Sequence, residues 1–179
     1  RILVVEDDQD QALAMLGALR QLGLAAELVA SAEHAMERIE EDGADIILTD
    51  LMLPGANGDE LLRWAKARNP ATAVLVMSVV NSVDQAVAML QSGADDYLVK
   101  PVELEALAPR MERAIERVAI QRDVSELEAL IERSTTATAA IVGTSKPLQE
   151  VLGRVPGVAR SRASVLVHGE SGTGKELLA

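Results

Sequence analysis

Three acidic residues stand just after short apolar runs. Glu6 and Asp7 follow Ile2–Val5, and Asp50 closely follows Ile46–Leu48. If these runs are neighbouring parallel strands, the carboxylates meet beyond the carboxyl ends of the strands, where open parallel sheets bind ligands. Carboxylates so close together repel each other unless a proton or a cation neutralises them. Mg²⁺ suits such a place, and beside it Asp50 could attack a phosphoryl group as a nucleophile.

Two further polar residues follow later apolar runs. Ser78 comes after Val74–Met77, and Lys100 comes after Tyr97–Val99. At the same edge, Lys100 would place a positive charge beside a transferred phosphoryl group, and Ser78 would donate a hydrogen bond to it. Each residue taken singly also has an ordinary explanation, because an Asp after a strand is commonly a turn former and a Lys is commonly solvated. Their order on successive strand ends favours a shared site.

A glycine-rich segment near the end of the sequence satisfies the pattern G-x-x-x-x-G-K. Its residues are Gly169, Glu170, Ser171, Gly172, Thr173, Gly174 and Lys175. A strand predicted at Ser164–Val167 precedes it, and a helix start is expected after it. Backbone N–H groups of such a loop cradle phosphates, and Lys175 can reach the outer ones. Glu176 stands where the common motif has Ser or Thr, so a chance match stays open.

The elements that would position these residues alternate between strands and helices, a pattern typical of an α/β fold with a parallel sheet covered on both faces. Five strands are predicted, at Ile2–Val5, Glu27–Val29, Ile46–Leu48, Val74–Met77 and Tyr97–Val99. Four helices are predicted between them, at about 10–22, 32–41, 59–68 and 83–92. The strand order 2-1-3-4-5 would make the first and third strands neighbours and bring the acidic residues together.

Helix ends and one helix face can also be predicted. Ser31 and Ser82 are candidate N-caps, and glycines stand where helices should stop. In the first helix, an inward stripe is predicted at Leu13, Leu16, Leu19 and Leu22.

A long helical pattern spans about 103–133 and carries two apolar seams. The first comprises Leu104, Leu107, Met111, Ala114 and Val118, and the second comprises Ile120, Val124, Leu127 and Ile131. Because the seams are out of phase, we expect the first to pack on the domain and the second to meet a second subunit. A plain surface helix is the alternative for the second seam. Pro109 should weaken or kink the early turns, and 134–140 is interpreted as a flexible joint.

Composition limits the class of protein. The 179 residues hold no Cys, which excludes disulfides and thiolate metal sites. Residues 1–101 carry 7 Lys and Arg against 17 Asp and Glu, so direct binding to nucleic acid by this part is not expected. No apolar run approaches the length of a membrane span and no leader precedes the first run, so we expect a cytoplasmic protein without a membrane partner.

The segments named above resemble the response-regulator receiver domains over about 1–120. The resemblance is carried by Val4–Asp8, Asp50–Gly55, Gly58, Ser78 and Gly93–Pro101. It implies a flavodoxin-like, five-stranded parallel sheet.

In functional terms the resemblance implies a two-component phosphorelay in which a sensor histidine kinase transfers phosphate to Asp50. Glu6, Asp7, Asp50 and the backbone carbonyl of Met52 would hold Mg²⁺. Ser78 and Lys100 would assist the transfer.

The resemblance has three further implications, for conformational switching, for one peptide bond and for one position that differs from the family pattern. Ser78 and Tyr97 correspond to the switch pair of the family. The Lys100–Pro101 bond is expected to be cis. Val79 stands where relatives usually carry a small residue, and its branched side chain could slow phosphorylation or dephosphorylation.

The sequence of the glycine-rich segment, including Glu176, resembles the corresponding segment of the AAA+ ATPase domain in NtrC-like activators of sigma-54 RNA polymerase. The resemblance covers about 140–179, a small fraction of such a domain, so this chain should bind ATP poorly and should not hydrolyse it. We therefore expect a receiver domain over 1–120, a fifth helix and dimerising linker over 103–135, and the start of a sigma-54 interaction ATPase domain over 140–179. The longer protein would be an ATPase that acts on sigma-54 RNA polymerase and DNA.

Two other functions remain open from the residues alone. A Mg²⁺-dependent phosphatase could use Asp50 as its nucleophile, although Met52 occupies the place where such enzymes usually have a second acid. A P-loop enzyme with a structural α/β module in front is the other, but it leaves the acidic residues at the strand ends unexplained.

Overall fold

The computed structural model describes residues 1–139, 145–159, 166–168 and 170, with the backbone alone at 132–139, 156, 158 and 159. The chain divides into two compact units, Arg1–Arg122 and Asp123–Ala179. Within the described residues, no helix combines the length and the apolar character that a membrane crossing requires.

The first unit is built on a five-stranded, all-parallel sheet. Its strands are β1 (Ile2–Val5), β2 (Ala26–Val29), β3 (Ile46–Asp50), β4 (Ala73–Ser78) and β5 (Asp96–Val99). Their spatial order is β2-β1-β3-β4-β5, which confirms the predicted α/β, flavodoxin-like fold. The three central strands are buried along their whole length, as expected for strands covered on both faces.

Helices cover both faces of this sheet. They are α1 (Gln9–Gln21), α2 (Ala32–Asp42), α3 (Gly58–Arg68), α4 (Val83–Gln91) and α5 (Leu104–Ala139). Successive strand residues point to opposite faces, so Leu3 and Val5 join one apolar core with α2, α3 and α4, while Ile2 and Val4 join a second with α1 and α5.

The helix ends follow the predicted capping pattern. Ser31 Oγ accepts a hydrogen bond from the His34 N–H at 3.3 Å, and Ser82 Oγ accepts one from the Gln85 N–H at 3.4 Å. Asp8, which was not predicted as a cap, accepts from two amides at the start of α1 and so begins that helix directly after the acidic residues.

The predicted stripe of α1 is confirmed at Leu16, Leu19 and Leu22, which pack on the second core, and is wrong at Leu13, which is 58% exposed. Ala12 and Met15 are buried on the same side as Leu19. Residues spaced by three drift by about 60° per step around a helix with 3.6 residues per turn, so the four leucines of the prediction cannot share one face. The buried set has the mixed spacing of three and four that a helix face requires.

One prediction about the long helix needs correction. The helix α5 continues through the predicted flexible joint as far as Ala139, where alanine favours the helical backbone. Pro109 lies inside α5, and the expected weakening or kink of its early turns stays a prediction. The first seam packs as predicted, with Leu107, Met111 and Ala114 buried.

The second unit contains α6 (Lys146–Ala159), a helix that was not predicted. Its half-buried residues Leu148, Leu152 and Val155 have the spacing of one helix face, a signal that the sequence already contained. The predicted strand at Ser164–Val167 is absent over its described residues, since Leu166 and Val167 belong to neither helix nor strand.

Candidate functional site

The carboxyl edge of the sheet gathers the polar residues that the sequence singled out. Glu6 follows β1, Asp50 ends β3, Ser78 ends β4 and Lys100 follows β5. The parallel register sets these ends beside each other, with Asp50 opposite Met77 and Ser78 opposite Val99. The juxtaposition therefore results from strand order and register together.

Three carboxylates form a cluster that can hold a cation. Glu6, Asp7 and Asp50 each offer one oxygen, and these oxygens lie within 4.8 Å of one another. Glu6 and Asp50 are buried while Asp7 is exposed, so the cluster opens to solvent on one side.

The surroundings of the Glu6 carboxylate are compatible with a bound cation. Glu6 Oε1 is buried and has no hydrogen-bond partner among the described residues. Burial raises the pKa of the Glu6 carboxyl above its ordinary value, although hydrogen bonding to Lys100 opposes the shift. An oxygen without a donor, among clustered carboxylates, is a suitable ligand for a hard divalent ion such as Mg²⁺.

Lys100 supplies the fixed positive charge of the site. Its Nζ donates to Glu6 Oε2 at 2.5 Å and also to Asp50 Oδ2. The lysine side chain is only 8% exposed, so its charge is weakly screened by water. The Lys100–Pro101 peptide is cis, as expected.

The Asp50 carboxylate is oriented by the backbone of Met52, two residues further along the chain. Its Oδ1 accepts a hydrogen bond from the Met52 N–H at 2.9 Å, which leaves Oδ2 directed to Lys100. The Met52 side chain is 66% exposed, so this residue acts here through its backbone.

Gly58 has a packing role that the sequence did not reveal. A Cβ at this position would stand 2.2 Å from the Asp50 carbonyl oxygen and 2.9 Å from Leu51 Cα. The start of α3 therefore packs directly on the backbone of the acidic residue. Spacing alone could not show this, because the approach arises from the path of the intervening loop.

Ser78 and Tyr97 are connected through one residue, Val80. The buried Ser78 Oγ accepts a hydrogen bond from the Val80 N–H at 3.1 Å. The Tyr97 hydroxyl donates to the Val80 carbonyl at 2.7 Å and to Gln85 Oε1 at 3.2 Å. The tyrosine ring is turned inward, with 9% of the residue exposed. The contact between Tyr97 and Gln85 was not predicted from the sequence.

A cavity of about 350 Å³ opens beside the lysine. Residues that line it include Glu6, Gln11, Met15, Val79 and Lys100. Val79 is 67% exposed, so its branched side chain stands at the entrance to the site rather than in the core.

Most of the predicted phosphate-binding segment lies outside the described residues. These are Gly169 and the run from Ser171 through Gly172, Thr173, Gly174 and Lys175 to Glu176. Glu170 is described and its side chain is exposed.

Comparison with known proteins identifies two families along the chain. The family model of the response regulator receiver domain matches residues 2–112, and that of the sigma-54 interaction domain matches residues 141–179. The first covers more than half of the sequence and includes every residue of the site described above.

Curated relatives match over almost the whole chain. The transcriptional regulatory protein ZraR of Escherichia coli (strain K12) is 36% identical over 99% of this chain and 39% of its own length. The DNA-binding transcriptional regulator NtrC of the same strain is 33% identical over 99% of this chain and 37% of its own length. The chain thus spans about two fifths of these relatives.

Solved structures agree with the fold. The signal receiver domain of a putative Luxo repressor protein from Vibrio parahaemolyticus is 28% identical, with a TM-score of 0.65 over 69% of this chain and 95% of that one. NtrX from Brucella abortus in complex with ADP is 28% identical, with a TM-score of 0.66 over 99% of this chain and 38% of that one. The chain belongs to the response regulators of two-component systems, with a receiver domain in front of a segment that matches the sigma-54 interaction domain.

Proposed function

We propose that Asp50 is the residue that accepts a phosphoryl group, and that the donor is a phosphohistidine of a sensor kinase. The observation that carries the proposal is the convergence of Glu6, Asp7 and Asp50, with Lys100 in contact with two of them. In the transfer, an Asp50 carboxylate oxygen bonds to phosphorus as the phosphorus–nitrogen bond breaks, and the departing histidine keeps the bonding electrons and takes up a proton.

The residues around Asp50 have separate roles in this transfer. Glu6, Asp7, Asp50 and the Met52 carbonyl would hold Mg²⁺, which when bound offsets the negative charge of the phosphoryl oxygens. Lys100 keeps a positive charge beside the Asp50 oxygen, and the Met52 N–H orients the other oxygen. Burial of both Asp50 and Lys100 makes these charge interactions stronger than they would be in water.

The hydrogen bonds of Val80 offer a path from the phosphoryl group to the surface. When the Ser78 side chain rotates so that its hydroxyl donates to a phosphoryl oxygen, the Ser78 oxygen moves away from the Val80 N–H from which it accepts in this structure. The backbone at Val80 is then free to shift, and the Val80 carbonyl is the acceptor that holds Tyr97 inward. Ser78 and Tyr97 thus act as the switch pair, with the loop between β4 and α4 as their connection.

The output of the longer protein would be control of sigma-54-dependent transcription. We assign 1–120 to the receiver, 103–135 to the fifth helix and linker, and 140–179 to the start of a sigma-54 interaction ATPase domain. The match of residues 141–179 to that domain supports the assignment. ATP would bind at Gly169–Glu176, with sigma-54 RNA polymerase and DNA as partners, and a protein that joins a kinase to RNA polymerase works in the cytoplasm.

Homodimerisation through α5 completes the proposal. Ile120, Val124 and Leu127 are 53%, 42% and 59% exposed, although they form an apolar seam. A second copy of the chain would cover this seam in a coiled-coil arrangement.

The test of the proposal is phosphorylation by a small phosphodonor, acetyl phosphate, with Mg²⁺. We expect the intact mass of the chain to rise by one phosphoryl group, and Asp50→Asn to abolish the increase. Asp84→Asn, at an exposed carboxylate in the first turn of α4, serves as the matched control and should be phosphorylated normally. Uptake of phosphate by Asp50→Asn would show that the assignment is wrong.

A further inference from the structure

The loop between β3 and α3 joins Asp50 to Gly58 and is anchored at both ends. At its start Leu51 and Leu53 are buried, and at its end the Gly58 N–H donates to the Leu51 carbonyl at 3.0 Å. Met52, the expected carbonyl ligand, lies inside this loop. The position of that carbonyl therefore depends on how firmly the middle of the loop is held.

A carboxylate of another helix holds the middle of the loop. Glu33 Oε1, from the first turn of α2, accepts a hydrogen bond from the Ala56 N–H at 2.8 Å. Within the described part of the chain, this is the one hydrogen bond that residues 53–56 make. Gly55 packs on the same carboxylate, since a Cβ there would stand 2.5 Å from Glu33 Oε1.

Glu33 is exposed to solvent, and two features make its carboxylate an anchor for the loop. Gly55 has a φ of +81°, which a residue with a Cβ rarely adopts, so the backbone here is shaped to approach the carboxylate. The hydrogen bond from the Ala56 N–H lowers the pKa of the Glu33 carboxyl, so this contact stabilises the charged carboxylate form. Glu37, one turn further along α2, is also exposed but has no hydrogen bond or ion pair within the residues that the structure describes.

We propose that Glu33 is a positioning residue for the magnesium site, acting through the Ala56 N–H to hold the loop that carries Met52. Glu33 touches neither the ion nor the phosphoryl group. By holding the loop in one conformation, Glu33 reduces the conformational entropy that the loop loses when the Met52 carbonyl binds a cation. The inference rests on the proposed function, because it assumes that Mg²⁺ binds at Glu6, Asp7 and Asp50.

The experiment measures the Mg²⁺ concentration that gives half-maximal phosphorylation of the 179-residue chain by acetyl phosphate. For Glu33→Ala we expect this concentration to rise roughly threefold to tenfold, the range that loss of one hydrogen bond allows. The rate at saturating Mg²⁺ should stay within about twofold, because the reacting groups are untouched. Glu37→Gln should match the wild-type chain in both quantities.

Two further measurements separate positioning from a general loss of structure. Glu33→Gln keeps an acceptor oxygen without the charge, and should recover much of the Mg²⁺ affinity. Hydrogen exchange at the Ala56 amide should become faster in Glu33→Ala, while exchange at the Gly58 amide, which has its own acceptor, should not change.

The outcomes are distinguishable from failure of the proposed function. If the wild-type chain takes up no phosphate, the phosphorylation site is wrong. If the wild-type chain is phosphorylated and Glu33→Ala has an unchanged Mg²⁺ requirement, or Glu33→Gln is as impaired as Glu33→Ala, the positioning role of Glu33 is overturned.

Discussion

At the scale of single residues, the site depends on close approaches that leave little room for substitution. Gly58 shows this most clearly, because its Cα lies against the backbone of Asp50. Val79 shows the opposite case, a large side chain at an open entrance. The two positions lead to predictions of different kinds, one of stability and one of rate.

For Gly58→Ala we expect a loss of about 1–3 kcal/mol in the free energy of unfolding, since the new methyl group would overlap the Asp50 carbonyl and force the backbone to shift. Urea denaturation measures this loss. Gly17→Ala is the matched control, because a Cβ there meets nothing within 4 Å inside the helix α1, and it should stabilise the chain by up to about 1 kcal/mol. Equal stability of the two variants would contradict the packing role of Gly58.

For Val79→Ala we expect phosphate to be taken up and lost faster, by about threefold, which corresponds to less than 1 kcal/mol in the barrier. Removal of the branched side chain widens the entrance beside Lys100 and admits donors and water more readily. The rate of loss from phosphorylated chain, followed by mass spectrometry, checks the prediction. Val83→Ala removes an equally exposed valine from α4 outside that cavity and should leave the rate unchanged.

At the scale of elements, the long helix α5 carries two apolar seams on two faces. Its first seam completes the core against the sheet, whereas its second seam begins at Ile120 and stays exposed. The change of face near Val118 was predictable, because the spacing of apolar residues shifts phase there. The continuation of the helix to Ala139 was not, because threonine-rich sequence is compatible with either a helix or a joint.

For Leu127→Lys we expect the proposed dimer to dissociate, because a charge in the second seam would have to be buried without a partner. Sedimentation of the wild-type and variant chains, with and without beryllofluoride and Mg²⁺, measures the change. Glu126→Lys places the same charge one residue away on the exposed surface and is the control. A wild-type chain that sediments as a monomer under both conditions would leave the second seam as plain surface helix.

At the scale of the whole molecule, polar contacts also stabilise the edge of the sheet where the amino ends of β4 and β5 lie. This edge is opposite the carboxyl edge that carries the site. Asp95 is central to these contacts, since its Oδ2 accepts from Lys66 Nζ and from the Val74 N–H, both at 2.7 Å. Its other oxygen pairs with Arg117. This buried carboxylate thus joins α3, β4 and α5 in one network.

For Asp95→Asn we expect the free energy of unfolding to fall by about 3 kcal/mol, the cost of leaving buried charges without their partner. Asp96→Asn is the comparison, because Asp96 pairs with Arg110 and Arg113 on the more exposed side and should cost about 1 kcal/mol or less. Thermal and urea unfolding measure both variants. A smaller loss for Asp95→Asn than for Asp96→Asn would contradict the central role of Asp95.

The sequence by itself determined the α/β class and the polar residues that stand at the strand ends, whereas the strand order was expected from the resemblance to receiver domains. Short Val- and Ile-rich runs alternate with helical segments, and four of the five runs are followed by a polar residue, so local pattern and chemistry agree. The caps Ser31 and Ser82 were likewise predictable, because capping depends on residues three positions apart.

Only the tertiary structure decided how those residues meet. The approach of Gly58 to Asp50, the inward turn of Tyr97 onto Val80 and Gln85, and the hydrogen bond from Ala56 to Glu33 join parts of the chain that no local pattern relates. Such contacts depend on where loops and helix faces settle once the core is packed. That arrangement is set by the sum of many small packing energies rather than by the type of any one residue.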